Sequence, residues 1–223
     1  MRLHTIGDCH AIFGWDNIKV SDTKFEEINI NSIASYTIAG FGAGKLNVLD
    51  ISTYWSKHDT QISPERYDQY FNIKDGDAVI FSIGEIDCRM HLVSPHNSDE
   101  WKGIIDATVP MYCDAIKVNV EKFNNLHTIV FNVIPPTREE DLVLWGYQHI
   151  PCSNNLKKDV HTYMNAKLKE YCEKYNYIFF DVYDKYCDED GFLSKKFNGT
   201  EGTHIINPIY YIEFLNNLKI FGN

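Results

Sequence analysis

The sequence has no long apolar run and few basic residues for its size. None of its hydrophobic stretches approaches the roughly 20 residues that a transmembrane helix needs. Of the 223 residues, 21 are Lys or Arg and 31 are Asp or Glu, which gives a formal net charge of -10. This acidic balance disfavours general binding to a nucleic-acid backbone, because such binding depends on clustered basic side chains. We therefore expect no membrane association and no nucleic-acid partner.

Paired cysteine motifs, internal repeats and low-complexity linkers are also missing. The six cysteines are scattered without any CxxC pair, which predicts reduced, mostly buried thiols rather than a disulfide framework. The first residues lack the charged start and apolar core of a signal peptide, so we expect a cytoplasmic protein. Because no linker divides the chain, residues 1–223 are expected to form a single domain.

Short β-rich runs alternate with amphipathic stretches along the chain, a pattern typical of βαβ units around a parallel sheet. The predicted strands are Leu3–Ile6, Ala34–Ile38, Ala78–Ile83, Thr128–Ile134 and Tyr177–Val182. The predicted helices are Pro64–Phe71, Asp99–Asn125, Leu156–Tyr175 and Pro208–Phe221. The sequence therefore predicts a three-layer α/β/α sandwich with a five-stranded parallel sheet.

Three short polar clusters lie at the predicted strand ends, where open α/β sheets bind their ligands. They are Gly7-Asp8-Cys9-His10, Gly84-Glu85-Ile86-Asp87-Cys88-Arg89 and Glu201-Gly202-Thr203-His204. Each cluster alone is common by chance. Their order along the chain and their positions at strand ends are considerably more specific.

Together these clusters resemble the motifs of the SGNH (GDSL-type) hydrolases, a superfamily of esterases, lipases and carbohydrate acylesterases. That family carries its nucleophile in a GDS motif after strand one, a GxND block after strand three, and a DxxH pair near the C-terminus. The resemblance extends from Gly7 to His204 and implies a flavodoxin-like fold. The GEIDCR block is also similar to that of a subgroup found beside sugar and polysaccharide genes.

The sequence departs from the family pattern at three positions. Cys9 stands where the family has serine, Glu201 where it has aspartate, and Ile86 where it has asparagine. The resemblance therefore implies a thiol nucleophile at Cys9, with His204 as its base and Glu201 orienting the imidazole. A strand-to-helix turn suits a thiolate, because the helix N-terminus favours negative charge.

Ile86 cannot donate a hydrogen bond to an oxyanion, so the resemblance requires other donors. The backbone N–H of Cys9 and that of Gly42 or Gly44 are the expected pair, within a Gly40–Gly44 segment interpreted as a tight turn. Arg89 is the candidate replacement for the missing asparagine, and Glu85 and Asp87 are expected beside the substrate. Two alternatives remain: Glu85 and Arg89 form an ion pair with each other, and Asp8 and Asp87 brace the loops.

The sequence thus predicts an acyl-ester hydrolase of the carbohydrate O-acetylesterase type, acting on a small-molecule or glycan ester without a cofactor. One alternative is an O-acyltransferase of polysaccharide modification, and a second is a catalytically inactive domain that binds a glycan or a partner. A third is a flavodoxin-like nucleotide or FMN binder that uses Gly40–Gly44. No metal is expected, because Cys88, His91 and His96 lack a second pair of ligands.

Overall fold

A five-stranded, all-parallel sheet forms the centre of the protein. A computed structural model describes residues 1–33, 37–42, 72–95, 97, 99–146, 149–198 and 202–221. The strands are β1 (Arg2–Gly7), β2 (Glu27–Ser32), β3 (Ala78–Ser82), β4 (His127–Phe131) and β5 (Ile178–Phe180), in the spatial order β2-β1-β3-β4-β5. This arrangement confirms the predicted fold class, and four of the five strands overlap their predicted ranges.

The second strand lies earlier in the chain than the sequence analysis placed it. β2 spans Glu27–Ser32, whereas the prediction was Ala34–Ile38; Ile38 begins a helix, and residues 34–36 lie outside the described residues. β2 is an edge strand that pairs only with β1. Its polar and isoleucine residues alternate, as is typical of a strand with one solvated face. The strand prediction was based on short apolar runs, and β2 contains none.

Helices connect the strands and cover the sheet. The described residues form α1 (Ile38–Gly42), α2 (Trp101–Val120), α3 (Glu139–Trp145), α4 (Asn154–Tyr175), α5 (Tyr183–Tyr186), α6 (Lys195–Asn198) and α7 (Ile209–Asn216). The helix predicted at 64–71 lies outside the described residues. The connection after β4 contains α3, and the connection after β5 contains α5 and α6. None of the described helices combines the length and the apolar character needed to cross a membrane.

Two hydrophobic cores, one on each face of the sheet, make the three layers. On one face, side chains such as Ile6, Phe81 and Val130 pack against α2 and α4. On the other face, Leu3, Ile80 and Ile129 pack against α7 and the aromatic side chains around it. Alternate strand residues thus point to opposite faces, and both faces are buried, as expected for a parallel sheet. The carboxyl end of the sheet is left to the loops that carry the polar clusters.

Candidate active site

Cys9 is held in a tight turn immediately after β1. The Asp8 carboxylate accepts a hydrogen bond from the His10 backbone N–H at 2.8 Å and caps the short 3-10 helix Cys9–Ala11. The Asp8 N–H in turn donates to the Ser82 carbonyl at 3.2 Å. At Gly7, a Cβ would lie only 1.9 Å from that carbonyl oxygen, so only glycine allows this close approach. The turn leaves the Cys9 side chain partly accessible at the carboxyl end of the sheet.

His204 lies on a loop that two side chains hold in place. The Gly202 carbonyl accepts hydrogen bonds from Thr137 Oγ1 and from Asn198 Nδ2, both at 2.9 Å. The His204 ring stacks on Phe13, with ring centroids 4.0 Å apart and an interplanar angle of 28°. The ring is 6% exposed, so its position is set by packing as well as by the loop.

These two elements bring Cys9 and His204 into hydrogen-bond contact. The distance between Cys9 Sγ and His204 Nε2 is 3.1 Å, although the residues are 195 positions apart in the sequence. Nucleophile and base side chains within hydrogen-bond reach are the usual geometry of an activated nucleophile. The thiol proton can therefore pass to the imidazole without any movement of the backbone.

His10 is a second imidazole in the same site. Its Nδ1 lies 3.1 Å from Asp8 Oδ1 and 3.5 Å from Cys9 Sγ, and its Nε2 lies 3.0 Å from the Thr203 carbonyl oxygen. The sequence analysis included His10 in the first cluster but gave it no role. The signal that could have found it was a titratable side chain directly beside the candidate nucleophile.

Burial disfavours the charged form of His10, but nearby acids outweigh that effect. Asp8, and Glu85 with its Oε2 at 3.9 Å from Nδ1, raise the pKa of His10 well above its ordinary value. The same pairing acts on Glu85, where burial opposes ionisation but His10 and Arg89 together lower the pKa of the carboxyl. The buried side chains of the site thus alternate in charge, in the order Asp8, His10, Glu85 and Arg89.

Glu85 and Arg89 form the ion pair that the sequence analysis left as an alternative. Arg89 Nε lies 2.5 Å from Glu85 Oε1, and Arg89 Nη2 lies 3.1 Å from Glu85 Oε2. This two-point pairing occupies much of the guanidinium fork. A role of Arg89 as an oxyanion donor stays a prediction.

Asp87 connects the second cluster, Gly84–Arg89, to helix α1. Its Oδ2 accepts the Ile38 backbone N–H at 2.8 Å. Burial, together with the nearby charge of Asp8, raises the pKa of Asp87 to about 7. Asp87 therefore braces the start of α1, as the second alternative of the sequence analysis proposed.

The remaining predicted site residues are only partly placed. Gly42 is the last residue of α1, so residues 40–42 belong to a helix rather than to the tight turn that we expected. Gly44 and Glu201 lie outside the described residues. The predicted roles of Gly42, Gly44 and Glu201 thus remain predictions.

Within the described part of the chain, one group of side chains has the types and spacing of metal ligands. Ligand atoms of Cys9, His10 and His204 all lie within 4.8 Å of one another. Both ring nitrogens of His10, however, already face oxygen acceptors, at Asp8 and at Thr203.

The other five cysteines are free and lie in different surroundings. Burial raises the thiol pKa of each of them. Buried thiols of this kind are inert toward electrophiles at neutral pH. The structure confirms that the cysteines are unpaired, but only Cys88, Cys113 and Cys172 are buried, whereas Cys9, Cys152 and Cys187 are partly exposed.

Comparison with known proteins finds similarity at the level of structure. No family model and no curated protein sequence matches the chain. One similar solved structure is named for a platelet activating factor from Streptococcus pneumonia, with a TM-score of 0.57, 15% identity, and coverage of 94% of this chain and 78% of the other. A second is a catalytic mutant of an acetylxylan esterase from Geobacillus stearothermophilus, with a TM-score of 0.57, 11% identity, and coverage of 100% and 94%.

A third similar structure is a member of the lipolytic protein G-D-S-L family from Veillonella parvula. Its TM-score is 0.51 and its identity is 14%, with coverage of 99% of this chain and 97% of the other. At such identities the similarity establishes the fold alone. The protein therefore has the α/β sandwich fold that G-D-S-L lipolytic proteins and an acetylxylan esterase also have.

Proposed function

We propose that this protein is an ester hydrolase of the SGNH (GDSL) type that uses the Cys9 thiol as its nucleophile. The observation that supports this most directly is the 3.1 Å contact between Cys9 Sγ and His204 Nε2. It lies at the carboxyl end of the sheet, where α/β folds of this kind bind their ligands. The sequence clusters that resemble the SGNH motifs supply both residues.

The proposed reaction is a two-step acyl transfer. His204 Nε2 takes the thiol proton, and the sulfur attacks the ester carbonyl to form a tetrahedral intermediate. The carbon–oxygen bond to the alcohol then breaks, and the alcohol leaves with the proton from His204. In the second step His204 takes a proton from water, whose oxygen releases the acyl group from Cys9 and restores the thiol.

The oxyanion of the intermediate needs donors in the same place. We propose the Cys9 backbone N–H, which meets no acceptor in the part of the chain that the structure describes, and a backbone N–H from the Gly42–Gly44 segment. Loss of one such donor typically costs about 2.7–4 kcal/mol of transition-state stabilisation. Glu201 is proposed to hold the His204 imidazole in the productive tautomer.

For the substrate we propose an acetyl ester of a carbohydrate hydroxyl. Two independent observations support this class. The GEIDCR block resembles that of a subgroup associated with sugar and polysaccharide genes, and one structural neighbour is an acetylxylan esterase.

The test is to incubate the protein with p-nitrophenyl acetate and with acetylated xylan, and to follow acetate release and the intact mass. We expect turnover and a transient gain of one acetyl group on the Cys9 peptide. Cys9→Ala should abolish both, whereas the matched control Cys88→Ala should retain both, since Cys88 is buried away from solvent. His204→Ala should lower turnover by about 100-fold or more, the usual contribution of a positioned general base.

Three outcomes would contradict the proposal in different ways. Equal turnover by the wild type and Cys9→Ala would remove the thiol from the mechanism. Binding of xylan fragments without any acetylation would favour a glycan-binding domain. Acetyl transfer to an added sugar in place of acetate release would favour an acyltransferase.

A further inference from the structure

The side chain next to the proposed nucleophile carries no role in the reaction described above. We propose that His10 is a positioning residue that keeps a fixed positive charge beside Cys9 and thereby stabilises the Cys9 thiolate. This inference rests on the proposed function, because it assigns the group that prepares the nucleophile of the same site.

The hydrogen-bond partners of His10 require a proton on each ring nitrogen. Nε2 lies 3.0 Å from the Thr203 carbonyl oxygen, which can only accept, so Nε2 must donate. Nδ1 lies 3.1 Å from the Asp8 carboxylate, which also accepts. A neutral ring would therefore set a lone pair against either the carbonyl or the carboxylate. An imidazolium ion satisfies both contacts.

The charged groups around His10 favour the same state. Asp8 and Glu85 face it as anions, and Glu85 is shared with Arg89. The His204 ring faces it from the other side, with ring centroids 4.7 Å apart. Burial disfavours a charge on His10, yet the two carboxylates outweigh burial and raise its pKa well above the ordinary value. His10 is only 5% exposed, so water screens these interactions little.

The positive charge on His10 favours the transfer of one proton from Cys9 to His204. When that proton moves from Cys9 Sγ to His204 Nε2, an S–H bond breaks, an N–H bond forms and the net charge of the site does not change. At pH 6, where Asp87 is still mostly protonated, three cations (His10, His204, Arg89) then balance three anions (Asp8, Glu85, Cys9). Without the charge on His10, the thiolate would have His204 as its one cationic partner at hydrogen-bond distance among the described residues.

The position of His10 suits this role. Its Nδ1 lies 3.5 Å from Cys9 Sγ, close enough for a direct charge-assisted contact. Asp8 fixes the ring by its carboxylate and also caps the turn that carries Cys9. One acid thus sets both the backbone of the nucleophile and the charge beside it.

The experiment measures the alkylation rate of Cys9 by iodoacetamide as a function of pH, by mass spectrometry of the Cys9 peptide. His10→Gln replaces the ring by a neutral amide. We expect alkylation of this variant to be at least about tenfold slower than the wild type near pH 6, because the neutral amide removes the positive charge beside the sulfur. The two rates should converge at alkaline pH, where the thiolate forms without help. His127→Gln, a histidine at the opposite end of the sheet, should match the wild type throughout.

A purely structural role would give a different result. If His10→Gln lowers the alkylation rate by the same factor at every pH, the positive charge is not the cause, and the proposal is wrong. A second measurement uses the wild type and does not depend on the variant folding. Nitrogen NMR of the histidine rings should show His10 protonated on both nitrogens at neutral pH, and a neutral ring there would overturn the inference.

These readouts do not require ester turnover. A protein that shows the pH-dependent difference but releases no acetate would retain the role of His10 and lose the proposed function. A protein that hydrolyses acetyl esters with no such difference would lose the role of His10 alone.

Discussion

Asp87→Asn provides a direct test of the electrostatics of the site. The Asp87 carboxyl has an ordinary pKa of 3.8, and burial with the nearby Asp8 charge raises that pKa to about 7 in the folded protein. A raised folded-state pKa means that the folded protein holds this proton more tightly than the unfolded chain. The stability from this group is therefore present below the unfolded pKa and is lost as the pH rises through the folded pKa.

The size of the effect follows from the two pKa values. At pH 5 the unfolded carboxyl is already mostly ionised, while the folded one is still protonated; at pH 8 both are ionised. Integrated over this interval, Asp87 lowers the free energy of unfolding by about 2.5 kcal/mol between pH 5 and pH 8. Asparagine cannot ionise, so the variant lacks this loss. It keeps a side-chain oxygen to accept the Ile38 N–H.

The assay is urea unfolding of the wild type and of Asp87→Asn at both pH values. The difference in unfolding free energy between the two proteins cancels the other titrating groups, such as His10 and His161. We expect this difference to move by about 2.5 kcal/mol in favour of the variant from pH 5 to pH 8. Asp159→Asn, at an exposed position of α4, should show no such movement. An equal difference at the two pH values would refute the reasoning.

Two further substitutions test other contacts of the site. Gly7→Ala should destabilise the protein by about 3 kcal/mol or more in urea unfolding, because the added Cβ meets the Ser82 carbonyl oxygen; wild-type stability would contradict this close approach. Arg89→Met should cost about 3–5 kcal/mol near pH 8, since it removes the two-point ion pair of the buried Glu85 carboxylate and leaves His10, 3.9 Å away, as its cationic neighbour. The cost should shrink in acid, where Glu85 is protonated, and a cost independent of pH would show that the ion pair is not its cause.

Most of the sheet could be predicted from the sequence because its inner strands are buried on both faces. β3 and β4 appear as continuous apolar runs bounded by polar residues, and their predicted ranges overlap the observed ones. β2 could not be found in this way. One face of this edge strand is partly exposed to solvent. Asn31 in β2 is buried, and its side-chain amide donates a hydrogen bond to the Thr5 carbonyl at 3.1 Å. A polar residue with a backbone partner gives no hydrophobic signal.

The candidate site, like the sheet, could be predicted from the sequence only in part. The motif resemblance proposed Cys9 and His204 together, and the structure brings them into contact. The pairing of Glu85 with Arg89 was left open, because sequence spacing of i and i+4 permits an ion pair but does not decide between partners. The contacts of His10 could not be foreseen. They depend on the Thr203 carbonyl, whose position is set by a loop anchored far away in the chain.

Cys9 and His204 are 195 positions apart in the sequence, which has a consequence for how this protein matures. β1 lies inside the sheet, so the amino-terminal segment joins the structure only when β3, made much later, is beside it. The loop with His204 follows every strand, and α7 comes after it. During synthesis the Cys9 thiol would therefore lack its proposed base, His204, until nearly the whole polypeptide has been made. The proposed activity would then appear only when folding is complete. A chain that ends before the last loop would retain the thiol but lack the imidazole that is proposed to activate it.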